Sequence, residues 1–186
     1  ELIRLAIDDI KYPIYHLDFE SYNCPLPRYY KERPYMQSVF QFSLHVEKAP
    51  GVCSKVDDHF EYLAKDHSDC RREICEKLIE YIDLSNGGTV LVYNESFEKS
   101  RLKELAQIYK DLAPGLLKIR DSVFDLLFVL KGNKKMFMKL LPNTMNKKEK
   151  EERCALFNYY NNGLHGSFSI KKVLPLFTNL SYKDLT

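Results

Sequence analysis

Two carboxylates two residues apart, Asp18 and Glu20 in the run Tyr15-His16-Leu17-Asp18-Phe19-Glu20-Ser21, are the side chains of this sequence best suited to chemistry. The run ends a predicted β-strand over residues 13–20. Side chains alternate faces along a strand, so both carboxylates project from one side, about 7 Å apart along the backbone. Two anions held that close need a cation. Mg²⁺ or Mn²⁺, which take oxygen ligands, suit the pair, and a paired-metal site suits phosphodiester hydrolysis. A solvated strand end is the plainer alternative, because Asp-x-Glu is short and recurs by chance.

A second candidate lies in Thr89-Val90-Leu91-Val92-Tyr93-Asn94-Glu95-Ser96-Phe97-Glu98. The β-branched run after Gly87-Gly88 predicts a buried strand over 88–93, and Asn94 is suited to cap a helix over 95–111. Helical spacing then places Asn94 and Glu98 on one face at the start of that helix. Alone, the pattern also fits a capped surface helix whose early glutamate complements the macrodipole.

These residues need a scaffold, and periodicity sketches one. After the first strand comes a proline-rich excursion through Pro25, Pro27 and Pro34, where Tyr22, Tyr29, Tyr30 and Tyr35 accumulate. Strands over 38–47 and 57–63 flank a Pro50-Gly51 turn, which favours an antiparallel hairpin. An amphipathic helix over 68–83 precedes the second candidate segment, and the β-β-β-α-β-α series ends at Ala113-Pro114-Gly115. A mixed sheet flanked by helices follows from this order. The next acidic pair, Asp121 and Asp125, is expected one helical turn apart. Capping by Asp121 and a paired, partly buried Asp125 compete there with direct metal ligation.

A strand bearing Asp-x-Glu, followed by a strand and helix bearing Asn-x-x-Phe-Glu, resembles the first two motifs of the DnaQ-like 3′–5′ exonucleases of the RNase H-like superfamily. More closely, the chain resembles a bacterial family of unknown function placed in that superfamily, some of whose members also carry a RecB-type nuclease domain. The matching stretches are 12–21, 37–45, 92–105 and 165–175, with Ser181-Tyr182-Lys183-Asp184-Leu185. The resemblance implies one RNase H-like domain over 1–186, with a five-stranded sheet in the order 3-2-1-4-5 and strand 2 antiparallel. It further implies that Asp18, Glu20 and Glu98 coordinate two Mg²⁺ or Mn²⁺ ions and are the catalytic carboxylates. Asp125 would support those ligands from behind. Phe19, Ser21 and Asn94 would approach the terminal nucleotide, and Ser167 and Lys171, at a predicted helix start, would meet phosphate.

Two departures from the superfamily pattern stand out. Glu98 occupies a position where aspartate is usual. The fourth acidic residue, expected in a later helix a few residues after His or Tyr, is not reached before Thr186, since neither Tyr182 with Asp184 nor His165 has the spacing. With a first residue that is not methionine, this suggests a C-terminally truncated piece of a longer protein.

The 186 residues, 45% of them hydrophobic, suffice for a sizeable core, and the net charge is only +2. The charge is uneven. Residues 131–153 carry eight basic side chains (Lys131, Lys134, Lys135, Lys139, Lys147, Lys148, Lys150, Arg153) against Glu149, Glu151 and Glu152, and the stretch 131–156 reads as an insertion. It is either a phosphate-contacting element or a solvated helix or loop. The loop tyrosines serve either packing or stacking on unpaired bases. No apolar run spans a membrane and no signal peptide is visible. Cys24, Cys53, Cys70, Cys75 and Cys154 form no Cys-x-x-Cys pair, which points to reduced thiols in the cytoplasm, with Cys75 on an apolar helix stripe.

The expectation is therefore a metal-dependent 3′–5′ exonuclease acting on DNA or RNA, without membrane attachment. Two alternatives remain open: a non-catalytic nucleic-acid-binding module, and a module that docks a neighbouring nuclease.

Overall fold

The computed structural model describes residues 1–182. In chain order the elements are α1 (Leu2–Asp8), β1 (Ile14–Asn23), β2 (Gln37–Glu47), β3 (His59–Leu63), α2 (Arg71–Tyr81), β4 (Thr89–Val92), α3 (Ser96–Ile108), α4 (Ala113–Asp121), β5 (Val123–Asp125), α5 (Leu126–Lys131), α6 (Lys134–Leu140), α7 (Lys147–Arg153), a 3₁₀ turn (Asn162–Leu164) and α8 (Ile170–Phe177). Two compact units form: a sheet unit, Ile10–Phe124, and a helical unit made of Glu1–Asp9 with the residues from Asp125 onward.

The sheet is a mixed five-stranded one in the order β3-β2-β1-β4-β5. β2 runs antiparallel to both β1 and β3, while β4 pairs parallel with β1. The strand order and the direction of strand 2 are those expected of an RNase H-like sheet. β1 is central, and its alternation is plain: Tyr15, Leu17 and Phe19 are buried, whereas Asp18 and Glu20 are exposed. The buried row joins Phe42 and Leu44 of β2, Ile74, Cys75 and Leu78 of α2, and Leu102 and Leu105 of α3 in one core. Such burial contributes about 1.5–3 kcal/mol per large apolar side chain. All of β4 is buried, as its unbroken apolar run requires.

Local chemistry sets the boundaries. β4 begins after Gly88, whose φ of +123° and whose closeness to the Pro13 carbonyl, 2.9 Å from where a Cβ would stand, admit only glycine without strain. β3 starts at His59 rather than 57 because Asp58 is engaged in the preceding turn, accepting from the Ser54 N–H at 2.8 Å and pairing with Lys48 at 2.5 Å. α2 starts at Arg71, behind turns in which Asp66 accepts from Ser68 N and Asp69 accepts from Arg71 N.

Arg71 is the largest fully buried side chain of the sheet unit. Its Nε and Nη2 each lie 2.7 Å from an Asp69 oxygen, its Nη2 donates to the Tyr30 carbonyl at 3.0 Å, and Glu32 is 3.9 Å away. Glu32 in turn accepts from the backbone of Arg28 and Tyr29 and from Ser38. The proline-rich excursion is thereby tied to the start of α2 instead of hanging as an open loop.

The helical unit buries Ala6, Val129, Phe137, Leu141, Leu164 and Val173. Residues 131–153 are built into it as α6 and α7. Asn146 and Glu149 form a capping box at the start of α7, a pattern visible in the spacing Asn-x-x-Glu. Lys150 is buried, donating from Nζ to the Leu141 carbonyl at 2.9 Å, while Lys134 pairs with Glu151 and Arg153 with Glu1. The stretch is thus helical rather than a loose loop, and of its eight basic residues Lys150 is turned inward while Lys134 and Arg153 are held in surface ion pairs. The Lys183-Asp184-Leu185 part of the last matching stretch lies outside the described residues.

The expected helical relation of Asp121 to Asp125 is also corrected. Asp121 ends α4 beside Arg120, 2.7 Å away, and Asp125 is the last residue of the strand β5 that follows. Asp121 caps no helix start. Val123 and Phe124 are extended because the Val90 N–H bonds the Ser122 carbonyl at 3.0 Å and adds the fifth strand beside β4.

Candidate functional site

β1 and β4 run parallel, and their last pair is His16 with Leu91. Asp18 and Glu20 therefore lie beyond the paired stretch, at the carboxyl ends of parallel strands, where open α/β sheets present their ligand crevice. Both face away from the core row. Across the ladder Asp18 opposes Ser43 and Glu20 opposes Gln41, and directly after Glu20 the register shifts. Val39 then opposes Ser21, which leaves Phe40 as the extra residue of a β-bulge. Bulges re-aim neighbouring side chains and end regular pairing.

The chain leaves β4 through Tyr93 and Asn94. Asn94 has φ +74°, a left-handed conformation that asparagine tolerates better than most residues. This overturns the expected capping role: the residue before α3 is Glu95, without a side-chain cap, and Asn94 turns the chain instead, its Oδ1 accepting from the Ser96 hydroxyl at 3.0 Å. Asn94 consequently stands outside the helix and does not share a helical face with Glu98. The turn sends α3 off so that Glu98, in its first turn, is buried at 4% exposure.

Electrostatics sharpens the picture at Asp18. Loss of water at the sheet surface raises its pKa above the ordinary aspartate value although the side chain remains exposed, and a hydrogen bond from the Phe19 backbone N–H offsets part of the rise. A carboxylate in that condition gains from a nearby cation. Phe19 itself is buried and pairs with Phe42 across the ladder, and the Ser21 hydroxyl donates to Gln37 at 2.8 Å, joining the end of β1 to the start of β2.

Asp18, Phe19, Glu20, Ser21, Asn94 and Glu98 all belong to the sheet unit, whereas Asp125, Ser167 and Lys171 belong to the helical unit. Asp125 is buried and caps α5, accepting from the Leu127 N–H at 2.9 Å. Ser167 lies before α8, its backbone N–H bonded to the Leu164 carbonyl, and Ser169 rather than Ser167 immediately precedes the helix. Lys171 is exposed, with its Nζ 5.7 Å from the Tyr182 ring.

A metal of the magnesium class asks for clustered oxygen ligands. Asp18 and Glu20 supply two such groups on one strand face. Among the described residues, however, no three His, Cys, Asp or Glu side chains converge closely enough to hold an ion together. The residues fit as a pair of carboxylates with Glu98 brought to the same end of the sheet, not as a finished cage.

Sequence reasoning passed over Arg101. One turn beyond Glu98 and on the same buried face of α3, it pairs with Glu104 at 2.8 Å and stacks 5.2 Å from the Phe97 ring. Its i, i+3 spacing from Glu98 was the available signal.

The site and fold together define a mixed α/β protein with RNase H-like strand order and an acidic edge at the carboxyl ends of its parallel strands. Residues 15–169 match the family described as a domain of unknown function, DUF2779. The chain belongs to that family. It is also similar to an uncharacterized protein, UU173, of Ureaplasma parvum serovar 3, at 26% identity over 187 residues, covering 92% of this chain but 24% of that protein. The chain thus spans about a quarter of that relative's length. No solved structure matches. No helix among the described residues is long and apolar enough to cross a membrane.

Proposed function

We propose that this domain is the metal-binding part of a DnaQ-like 3′–5′ exonuclease acting on DNA or RNA. The observation that carries the reading is the placement of Asp18 and Glu20 on one exposed face at the carboxyl end of the central strand, with Glu98 in the first turn of the helix that follows the parallel neighbour β4. Asp18, Glu20 and Glu98 would hold Mg²⁺ or Mn²⁺, and two such ions, when bound, supply an activated water and stabilise the leaving 3′ oxygen. The protein's own contribution is positional. Asn94 sets the direction of α3, Ser21 closes the strand end through Gln37, and the Phe19 backbone keeps Asp18 oriented toward the crevice.

The rest of the reading extends beyond this chain. A fourth carboxylate would come from another part of the polypeptide, and a RecB-type nuclease domain in the same polypeptide is the partner the resemblance implies. Unpaired cysteines suit a reducing, cytoplasmic setting. In the longer polypeptide a 5′-labelled oligonucleotide with Mn²⁺ should shorten progressively from its 3′ end. Glu98→Gln should abolish the shortening and Glu98→Asp should retain part of it, because charge matters more than length there. Equal digestion by native protein and Glu98→Gln would remove the exonuclease reading.

One observation favours a second reading. The lack of a converged three-ligand set among the described residues suits a non-catalytic module that binds nucleic acid or docks a nuclease. Nucleic-acid binding unchanged by EDTA, with no hydrolysis in the longer polypeptide, would establish it.

A further inference from the structure

The bulge that ends the Asp18–Glu20 segment also builds a cavity. Phe40, its extra residue, lies with its ring centroid 5.9 Å from that of Tyr22, two residues beyond Glu20 on β1. Together with Tyr29, Arg28, His67 and Ser68 they line a cavity of about 470 Å³ within the sheet unit. This volume and its aromatic walls are of the kind that accepts a flat organic group. No other element of the proposed nuclease chemistry uses it.

Three features say what that group is. The Arg28 guanidinium, itself planar, lies 4.3 Å from the Tyr22 ring centroid and 5.3 Å from that of Tyr29, so the site already stacks a flat group against aromatic faces. The Tyr22 hydroxyl is buried beside Arg28 and Tyr29 and interacts with both, so a polar group stands among the aromatic walls where a polar ring edge would lie. The rim of this apolar pocket is polar and mixed in charge, with the Arg28 guanidinium, the Asp66 carboxylate and the His67 imidazole at its mouth, and Arg28 is its permanent cation among the described residues. An aromatic heterocycle with polar edges, attached to an anionic linkage, matches all three.

The walls are also held firmly. Tyr29 donates from its hydroxyl to the His67 carbonyl at 2.9 Å, and burial, with Tyr22 alongside, pushes its pKa up to about 12, so it stays a neutral donor. The Arg71 guanidinium lies 5.2 Å from the Tyr29 ring and fixes the backbone of Tyr30. Pre-organised aromatic walls lose little entropy when they accept a base.

We propose that this cavity binds an unpaired nucleobase of a single-stranded nucleic acid, stacked against Tyr22, Phe40 and Tyr29, with Arg28 on a flanking phosphate. The inference rests on the nucleic-acid part of the proposed function and commits it to single strands. A base in a duplex is stacked and paired and cannot enter. Tyr22 is two residues from Glu20 on the same strand, about 7 Å away along the backbone, so the cavity stands at the same end of β1 as the carboxylates.

The test uses the full chain in EDTA, so that hydrolysis plays no part. Fluorescence anisotropy compares a labelled 12-nucleotide thymidine oligomer with a blunt duplex of equal length, and a 5-iodouracil oligomer is photo-crosslinked and its attachment mapped by mass spectrometry. The expected result is at least tenfold preference for the single strand, crosslinks in the peptides bearing Tyr22, Tyr29 or Phe40, and roughly tenfold weaker binding by Tyr22→Ala. Arg28→Ala, at a surface position, should weaken binding and flatten its salt dependence, with only a small fall in melting temperature from the lost contacts with the Tyr22 and Tyr29 rings. Crosslinks elsewhere, equal binding of duplex, or no binding at all would overturn the proposal. If Tyr22→Ala fails to fold, the crosslink map on the native chain and the Arg28 variant decide. Crosslinks at the pocket without metal-dependent hydrolysis in the longer polypeptide would retire the exonuclease reading alone, and hydrolysis with crosslinks elsewhere would retire the pocket alone.

Discussion

Asp18 stands directly opposite Ser43 in the antiparallel ladder, just as Glu20 stands opposite Gln41, so neither carboxylate meets a cation across the strand pair. Burial raises the Asp18 pKa accordingly. A native pKa above the unfolded one means that ionised Asp18 costs stability at neutral pH, a cost that vanishes below the unfolded aspartate value of 3.8. Asp18→Asn should therefore raise the melting temperature of the metal-free protein at pH 7 and abolish Mn²⁺ binding in calorimetry. Equal Mn²⁺ affinity in Asp18→Asn would end the assignment of Asp18 as a ligand.

Asn94 tests the geometry of the turn into α3. With φ at +74°, replacement by glycine relieves strain, whereas a β-branched residue adds it. Asn94→Gly should change stability by only a few tenths of a kcal/mol and Asn94→Val should cost about 1–2 kcal/mol or more. Urea unfolding of the two variants checks the order.

Arg71 tests how the proline-rich excursion is held. Truncation leaves Asp69 and the Tyr30 carbonyl without their buried donor, at a cost of about 3 kcal/mol. Arg71→Ala should lower stability by that amount and expose the 25–36 segment to limited proteolysis. Arg71→Lys should recover only part, because a single ammonium cannot span both Asp69 oxygens.

The open face of the sheet carries a row of histidines. His45 pairs in register with His16 and with His59, whose ring lies 4.2 Å from its own, and Glu47 and Glu61 flank the row, 3.2 Å from His16 and 3.5 Å from His59. Burial first, then the neighbouring His59 and His16, hold the His45 pKa below the ordinary 6.5. The unfolded chain then binds this proton more readily than the native one, so stability is full above about pH 6.5 and falls as pH drops below it. Chemical denaturation at pH 7.5 and pH 5.5 should show a loss in the native protein that is smaller in His45→Gln.

In the helical unit, Lys147 and Lys148 are exposed, whereas Lys150 is buried against the Leu141 carbonyl. Under the nucleic-acid reading, Lys147→Gln with Lys148→Gln should reduce the slope of log affinity against log salt by up to about 2, roughly one for each phosphate left without its lysine. Lys150→Gln should instead lower stability. An unchanged slope would make Lys147 and Lys148 ordinary solvated side chains.

The sequence by itself determined the series from β1 to α3 and the carboxylate pair. Alternation over Tyr15–Phe19 placed Asp18 and Glu20 on one face, an unbroken apolar run marked β4 as buried, and the apolar stripe through Cys75 and Leu78 marked the inner face of α2, whose Cys75 thiol burial pushes up to about 12. These are short-range signals, fixed by backbone periodicity and legible without a partner. The strand order came from family resemblance, because periodicity says nothing about which strand lies beside which. Tertiary structure alone decided the rest. Whether Asn94 caps or turns depends on where α3 must go to cover the sheet, whether Asp121 and Asp125 share a helix depends on Val123 and Phe124 being recruited beside β4, and whether Lys150 faces solvent depends on how α6 and α7 fold together. The aromatic cavity depends on Phe40 being one residue too many for the ladder with β1, a mismatch that exists only once the two strands have paired.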